Sequence, residues 1–324
     1  MNKIYKIIIL GLSVLIFTGC STKITVKSLH PSKIEDEKIH TVFVDRFYND
    51  RVNQTALIES ELSSAFFKSK KLFKLKTNSF NTDAIIAGEV LESSLNYEIY
   101  YKEDFNKKRC LTYEVDKQTK KRTCIKYIKR VTPCEKREYK VQTKIDVLKT
   151  DSNELLFSKV YSKTKHEDEC FENTTYISSG FHRNKKTINT NLARQIANEF
   201  LYDISPHYEY HTIEIVDEIK SIELSKEQEE EFEKSVELID DGYITQARKK
   251  LQSLNETLDF KSWEILYNLA LIEEKFENLK NAQTLYEEAE QNAVENEDLQ
   301  LIQTALNRVN RNLSEKIKAI SQLP

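Results

Sequence analysis

Glycine and proline are scarce in this chain, at 5 and 4 of 324 residues. So few glycines leave little room for a phosphate-cradling loop, whose backbone has to come very close to its ligand. No GxGxxG, Walker, HExxH or GxSxG pattern occurs anywhere in the chain. There are only 6 histidines, and the one close pair, His207 and His211, follows Pro206 in what reads as a linker. Ordinary surface histidines are the expectation there, and no metal site. The 52 acidic residues include helical charge runs such as Glu227 to Glu233, which normally form a solvated face. No nucleophile is paired with a base. The expectation is a non-enzyme without cofactor or metal. Beyond residue 20 no apolar run approaches the roughly 20 residues of a membrane-spanning helix.

The N-terminus is different. Lys3 and Lys6 precede an apolar run from Ile7 to Phe17, interrupted only by Gly11 and Ser13. A charged start, a short apolar core and small residues before a cut make an export signal over residues 1–19. The segment Phe17-Thr18-Gly19-Cys20 resembles the lipobox of bacterial lipoproteins, with Phe17 where Leu is usual. That resemblance implies acylation of Cys20 (palmitate-type chains) and a mature protein beginning there. Ser21, where an inner-membrane retention signal would favour Asp, points to the periplasm-facing leaflet of the outer membrane.

Four further cysteines, Cys110, Cys124, Cys134 and Cys170, make an even number in an exported chain and read as disulfides. Strand-like runs at 111–115 and 123–127 flank a polar turn from Asp116 to Lys121, which sets Cys110 opposite Cys124. A second turn at Asp151-Ser152-Asn153 is centred between Cys134 and Cys170. The expected bonds are Cys110–Cys124 and Cys134–Cys170. The rival zinc site would need the close cysteine or histidine pairs that these spacings lack.

Composition with 10% aromatics can build cores. After a polar tether at 20–38, residues 39–47 have the β-branched and aromatic content of a strand. Helical spacing then covers 52–68, with Ile58, Leu62 and Phe66 recurring. Short strands follow at 72–75 and from Asp83, then a basic, cysteine-bearing insert at 100–137. Val141, Thr143, Ile145 and Val147 alternate on one strand of a hairpin, and Leu155, Phe157, Lys159 and Tyr161 lie on its return strand. Leu192, Ile196, Phe200 and Ile204 form the stripe of a closing helix that ends at Pro206. This order gives an α+β fold, a sheet with helices packed on one face, over 39–205.

Three motifs carry a resemblance. They are the opening Val42-Phe43-Val44-Asp45-Arg46-Phe47, then Asp83-Ala84-Ile85-Ile86-Ala87-Gly88-Glu89-Val90, and the Ile145-Asp146-Val147 strand with its Thr150-to-Leu156 turn. Together they resemble the TolB N-terminal/CsgG-like (LpoB-like) domains of bacterial periplasmic lipoproteins, over about residues 38–205. The family includes activators of cell-wall synthases and, in one branch, oligomeric secretion channels. The insert at 100–137 departs from the family, so partner surfaces do not carry over.

Residues 206–224, a linker or else a strand that docks, lead to a helical region at 225–324. There Tyr267-Asn268-Leu269-Ala270, then Ala282, Tyr286 and Ala289, resemble a tetratricopeptide repeat. Ser235, Gly242, Ala247, Leu251 and Leu254 match one period earlier, and Ala305 one period later. Such repeats stack into grooves that hold peptides, which makes Tyr267, Asn268 and Tyr286 the candidate groove residues.

Charge is uneven. Residues 102–140 hold 14 Lys/Arg against 6 Asp/Glu, and 213–241 hold 12 Asp/Glu against 3 Lys. Lys107, Lys108, Arg109, Lys120, Lys121, Arg122, Lys129, Arg130, Lys136 and Arg137, with Tyr113 and Tyr127 among them, form a candidate surface for an anionic partner. Nucleic acid is not expected in that compartment. The expected role is a lipid-anchored, non-catalytic adaptor in an envelope protein complex, with a homo-oligomer possible. The alternatives are an activator of a cell-wall enzyme or a secretion component. A pore needs a lipid-facing apolar sheet surface, whereas Lys140, Gln142, Lys144 and Asp146 suit water.

Overall fold

The computed structural model describes residues 22–34, 38–171 and 181–324, without the side chains of 104–109, 128–130 and 181–183. The export signal and Cys20 lie outside the described residues. The chain divides into two compact units. One is helical (the described residues up to Leu29, with Tyr208–Glu315) and one is built on a sheet (His30–His207, with Lys316–Pro324). The chain is α+β, with an all-helical C-terminal region, as its patterning requires.

The first element corrects the tether. β1 (Lys23–His30) alternates buried and exposed positions and buries Ile24 and Val26 in the core of the helical unit. A leash would leave these apolar side chains in water, so the segment pairs instead.

In the sheet unit, β2 (Thr41–Val44) is followed by α1 (Gln54–Ser63). The helix is shorter than its apolar spacing suggests. Phe66, expected on its buried stripe, is 60% exposed in a two-residue hairpin of β3 (Phe66–Phe67) and β4 (Lys70–Lys71). Lys68 and Ser69, both at positive φ, turn that hairpin. After β5 (Lys74–Leu75) come the long strands β6 (Ala84–Val115) and β7 (Arg122–Lys149), then β8 (Leu155–Cys170). The sheet order is β5-β2-β6-β7-β8, with β2 parallel to β5 and β6, and the last three strands antiparallel.

Strand alternation makes the two faces. Val141, Thr143, Ile145 and Val147 are buried beneath α1 and α2 (Phe181–Ile204), whose Leu192, Ile196, Phe200 and Ile204 are buried too. On the other face Glu92 pairs with Lys140 at 2.8 Å and Lys144 with Asp146 at 2.9 Å. One buried polar link is satisfied across the layers. Thr143 Oγ1 donates to Gln54 Oε1, and Gln54 Nε2 donates to the Ala193 carbonyl.

In the helical unit, β9 (His207–Glu214) pairs with β1. Of the two expectations for 206–224, its start takes that of the docked strand and not that of a free linker. Five helices follow: α3 (Lys226–Asp240), α4 (Ile244–Thr257), α5 (Trp263–Lys275), α6 (Leu279–Asn292) and α7 (Asn296–Gln322). Two turns repeat one period of 35 residues apart. Gly242 and Glu277 are at positive φ, Gly242 N–H and Tyr243 N–H bond Ile239 and Leu238, and Glu277 N–H and Asn278 N–H bond Glu274 and Glu273. Both are Schellman caps, in which a left-handed residue ends one helix and starts the return. Ser235, Ala247, Ala270, Ala282, Ala289 and Ala305 are buried where helices touch.

Candidate functional site

Cys110 is bonded to Cys124 and Cys134 to Cys170, the pairing the two turns require. Cys134 and Cys170 are register partners, so this bond ties the end of β8 to β7. Beyond it the described pairings leave β6 and β7 as a two-stranded arm, closed by the turn at Asp116–Lys121. Asp116 holds that turn by accepting N–H bonds from Gln118 and Thr119 at 2.9 and 2.7 Å, and these bonds lower its carboxyl pKa.

The basic cluster does not stay together as one surface. Arg137, offered as a free cation by its sequence, is only 12% exposed and bonds the fully buried Glu135 at 3.0 Å and Glu169 at 3.2 Å. Burial works against its charge, but Glu135 and the other acids outweigh that and raise its pKa. Its neighbourhood is anionic, so Arg137 leaves the anion-binding set. Lys136 lies 5.1 Å over the Tyr100 ring, and Tyr100 in turn donates to Asp168 at 2.8 Å. Lys136, Arg137 and Asp168 line an open depression of about 520 Å³, with Glu98, Glu138, His166 and Glu167 around it. Its signs are mixed, with acids outnumbering bases, and this suits a hydrated polar surface.

The tip is different. Lys117, Lys120, Lys121, Arg122 and Lys126 are all exposed, and among the described residues none has an acidic partner. The side chains of Lys107, Lys108, Arg109, Lys129 and Arg130 lie outside the described residues.

The groove candidates are corrected more sharply. Tyr267 and Tyr286 are 1% and 0% exposed. Their rings meet edge-on at 5.4 Å, and Tyr286 donates to Glu274 at 2.7 Å. Glu274 also receives the Arg308 guanidinium of α7, at 2.6 and 3.2 Å. Burial of Tyr286 and the Glu274 charge both push its phenol pKa up, so it stays protonated as a donor. Asn268 is buried against the chain itself. Its side chain accepts from Val216 N–H at 2.9 Å and donates to Val216 C=O at 2.6 Å. One helical turn earlier, Glu264 accepts both Lys220 N–H and Ser221 N–H at 2.8 Å. Thus α5 holds the irregular backbone of residues 216–221 of this same chain. Of the three candidates only Asn268 meets that backbone, and Tyr267 and Tyr286 are core residues. Arg308, alone in a polar stretch, gave no signal.

A third polar cluster sits in the sheet unit. Asp203, 2% exposed, receives Lys33 and Lys159 at 2.7 Å and the Tyr161 hydroxyl at 2.8 Å. Burial raises its pKa, but the bonds from Lys159, Lys33 and Tyr161 outweigh burial and hold it below the usual value. These contacts fasten segment 31–34 to the end of α2.

No family model and no curated protein matches the chain. Among solved structures, a crystal structure of a minor lipoprotein from Acinetobacter baumannii aligns over 51% of this chain and 92% of that one. At 6% identity and a TM-score of 0.26, the likeness fixes neither fold nor function.

Proposed function

We propose that this chain is an exported lipoprotein, held by acylated Cys20 to the periplasmic leaflet of the outer membrane and acting as a non-catalytic adaptor in an envelope protein complex. The observation that carries the reading is the position of β1. It starts at Lys23, three residues after Cys20, and its Ile24 and Val26 are core residues of the helical unit. A lipid on Cys20 would therefore hold that unit within about 10 Å of the headgroups, since each residue spans at most about 3.5 Å. A lipidated end can retain an otherwise water-soluble body at a bilayer. The two disulfides suit an oxidising compartment.

The recurring Schellman turns and buried alanines support a tetratricopeptide-like helical unit, a scaffold class that works by holding other proteins. Because α5 is already occupied by 216–221, partners would dock on other faces of this unit or on the sheet unit.

The test is chemical crosslinking in intact cells, followed by mass spectrometry of what is captured. The adaptor reading expects one or a few envelope proteins crosslinked to both units. Peptidoglycan synthases among them would specify an activator, and secretion or flagellar parts a machine scaffold. Capture of nothing but further copies of this chain would contradict the adaptor reading and favour an oligomeric secretion component. Hydrolysis of an envelope substrate by the purified protein would overturn the non-catalytic assignment.

A further inference from the structure

The β6–β7 arm is unlike the rest of the surface in two respects. On the sheet body lysines are neutralised, Lys140 by Glu92, Lys144 by Asp146 and Lys163 by Glu199. At the tip, by contrast, five cations have no acidic partner among the described residues, as set out above. Two acids, Glu114 and Asp116, lie beside them, and Asp116 is engaged by the turn's own N–H groups.

The second respect is apolar. Leu111, Tyr113, Ile125 and Tyr127 are 52–59% exposed on the two strands of the tip. Nearer the sheet, Tyr101 and Val131 are also exposed. Exposed apolar groups of this density along one element mark a contact surface. Tyrosine with its ring in apolar surroundings and its hydroxyl in water favours a membrane interface. Lysines and arginines add attraction to anionic headgroups.

From Tyr101 to Val115 an extended strand reaches about 50 Å. Edges of the arm that are unpaired among the described residues would also invite pairing with a second copy, but that would set two cationic tips together, and exposed lysines oppose such pairing. Charge complementarity selects an anionic occupant. Rings and aliphatic chains beside the cations select one that is also apolar just beneath its charged surface. A bilayer has both properties.

We infer that the tip of the β6–β7 arm, Leu111–Tyr127, docks on an anionic lipid surface, with its cations at the headgroups and Tyr113 and Ile125 in the interface. The inference uses the envelope reading only for the presence of a bilayer within reach.

The test uses the full chain carrying Cys20→Ser, so that no acyl chain contributes, and Tyr113→Trp as a reporter. Its emission is read against the same protein with Tyr113 intact, which removes the signal of Trp263. With phosphatidylglycerol-containing vesicles the new tryptophan should shift to the blue, and high salt should reverse the shift. Replacing Lys120, Lys121 and Arg122 by glutamine should weaken the apparent lipid affinity on the order of 100-fold. The emission reports position 113 alone, whatever the N-terminal leader does. No shift at any lipid concentration would overturn the inference. An equal shift on phosphatidylcholine vesicles, or one unchanged in the triple variant, would do the same. A shift with polyglutamate but not with vesicles would reassign the tip to an acidic protein. None of these failures touches the adaptor reading, since the purified system contains no partner protein.

Discussion

An alanine methyl at Gly88 would sit 2.4 Å from both Phe47 Cε2 and the Lys144 carbonyl oxygen. The ring of Phe47 and the backbone of β7 close over this position, so Gly88→Ala has to displace one or both of them. A cost of about 1–3 kcal/mol is expected, the range for overpacking a core, read as a lower urea midpoint with an unchanged slope. Asp83, in the same motif, accepts N–H bonds from His40 and Thr41 at 2.8 and 2.7 Å and so pins the start of β2. These two residues were legible as a motif, and the structure supplies the reason: one fits a close approach and the other caps a strand. Asp203 was not legible. Its partners Lys33 and Lys159 are far away in sequence and become neighbours only when α2 closes over β8. Because its folded-state pKa is depressed, its contribution is fully present above the unfolded value of about 3.9. That contribution is lost as pH falls through the lower folded value. Asp203→Asn should therefore cost about 1–3 kcal/mol near neutral pH, discounted because the lysines stay partly in water. The gap between variant and wild type should narrow in denaturation curves taken from pH 5 down to pH 2.

At the level of elements, alternation and helical spacing served well wherever one face is buried. The register of β7 with β8, the stripe of α2 and the helices of the C-terminal region all follow from that rule. It failed where an element is short or is held from outside. β1 reads as a tether, and β9 as a linker or a docking strand, because each is mostly polar. Their order comes from Ile24, Val26 and the neighbouring Ile215 meeting the helical core and from bonds such as Lys275 Nζ to the Thr25 carbonyl at 3.0 Å. Segment 216–221 has no periodicity of its own, and its backbone is ordered by Asn268 and Glu264. Asn268→Ala removes both bonds to Val216. Hydrogen–deuterium exchange should then rise by about 10-fold or more at Val216 and its neighbours, as expected for losing about 1–2 kcal/mol of local hydrogen bonding. Exchange within α3 and α4 should stay as it was. Uniform protection across 216–221 in the variant would show that packing, not the amide clamp, holds the segment.

For the whole molecule, the chain enters the helical unit as β1, builds the sheet unit, and returns through β9. Its last residues then rejoin the sheet unit, where Gln322 bonds Ser32 N–H at 2.8 Å and the Ile34 carbonyl at 2.9 Å. Sequence patterning drew sheet and helices as successive segments, because an excursion of this kind leaves no local mark, whereas the two compact units interleave along the chain. The insertion sharpens the meaning of Cys20. Under the proposed acylation a flexible leash would let the helical unit sample a wide shell below the membrane, whereas a core strand starting at Lys23 would keep that unit close. Among the described residues no helix is long and apolar enough to cross a bilayer. The direct measurement is incorporation of labelled fatty acid by cells expressing the wild type and Cys20→Ser, followed by membrane fractionation. The account predicts labelled, membrane-associated wild-type protein and an unlabelled variant retained far less by the membrane. Equal labelling of both, or no labelling of either, would contradict it.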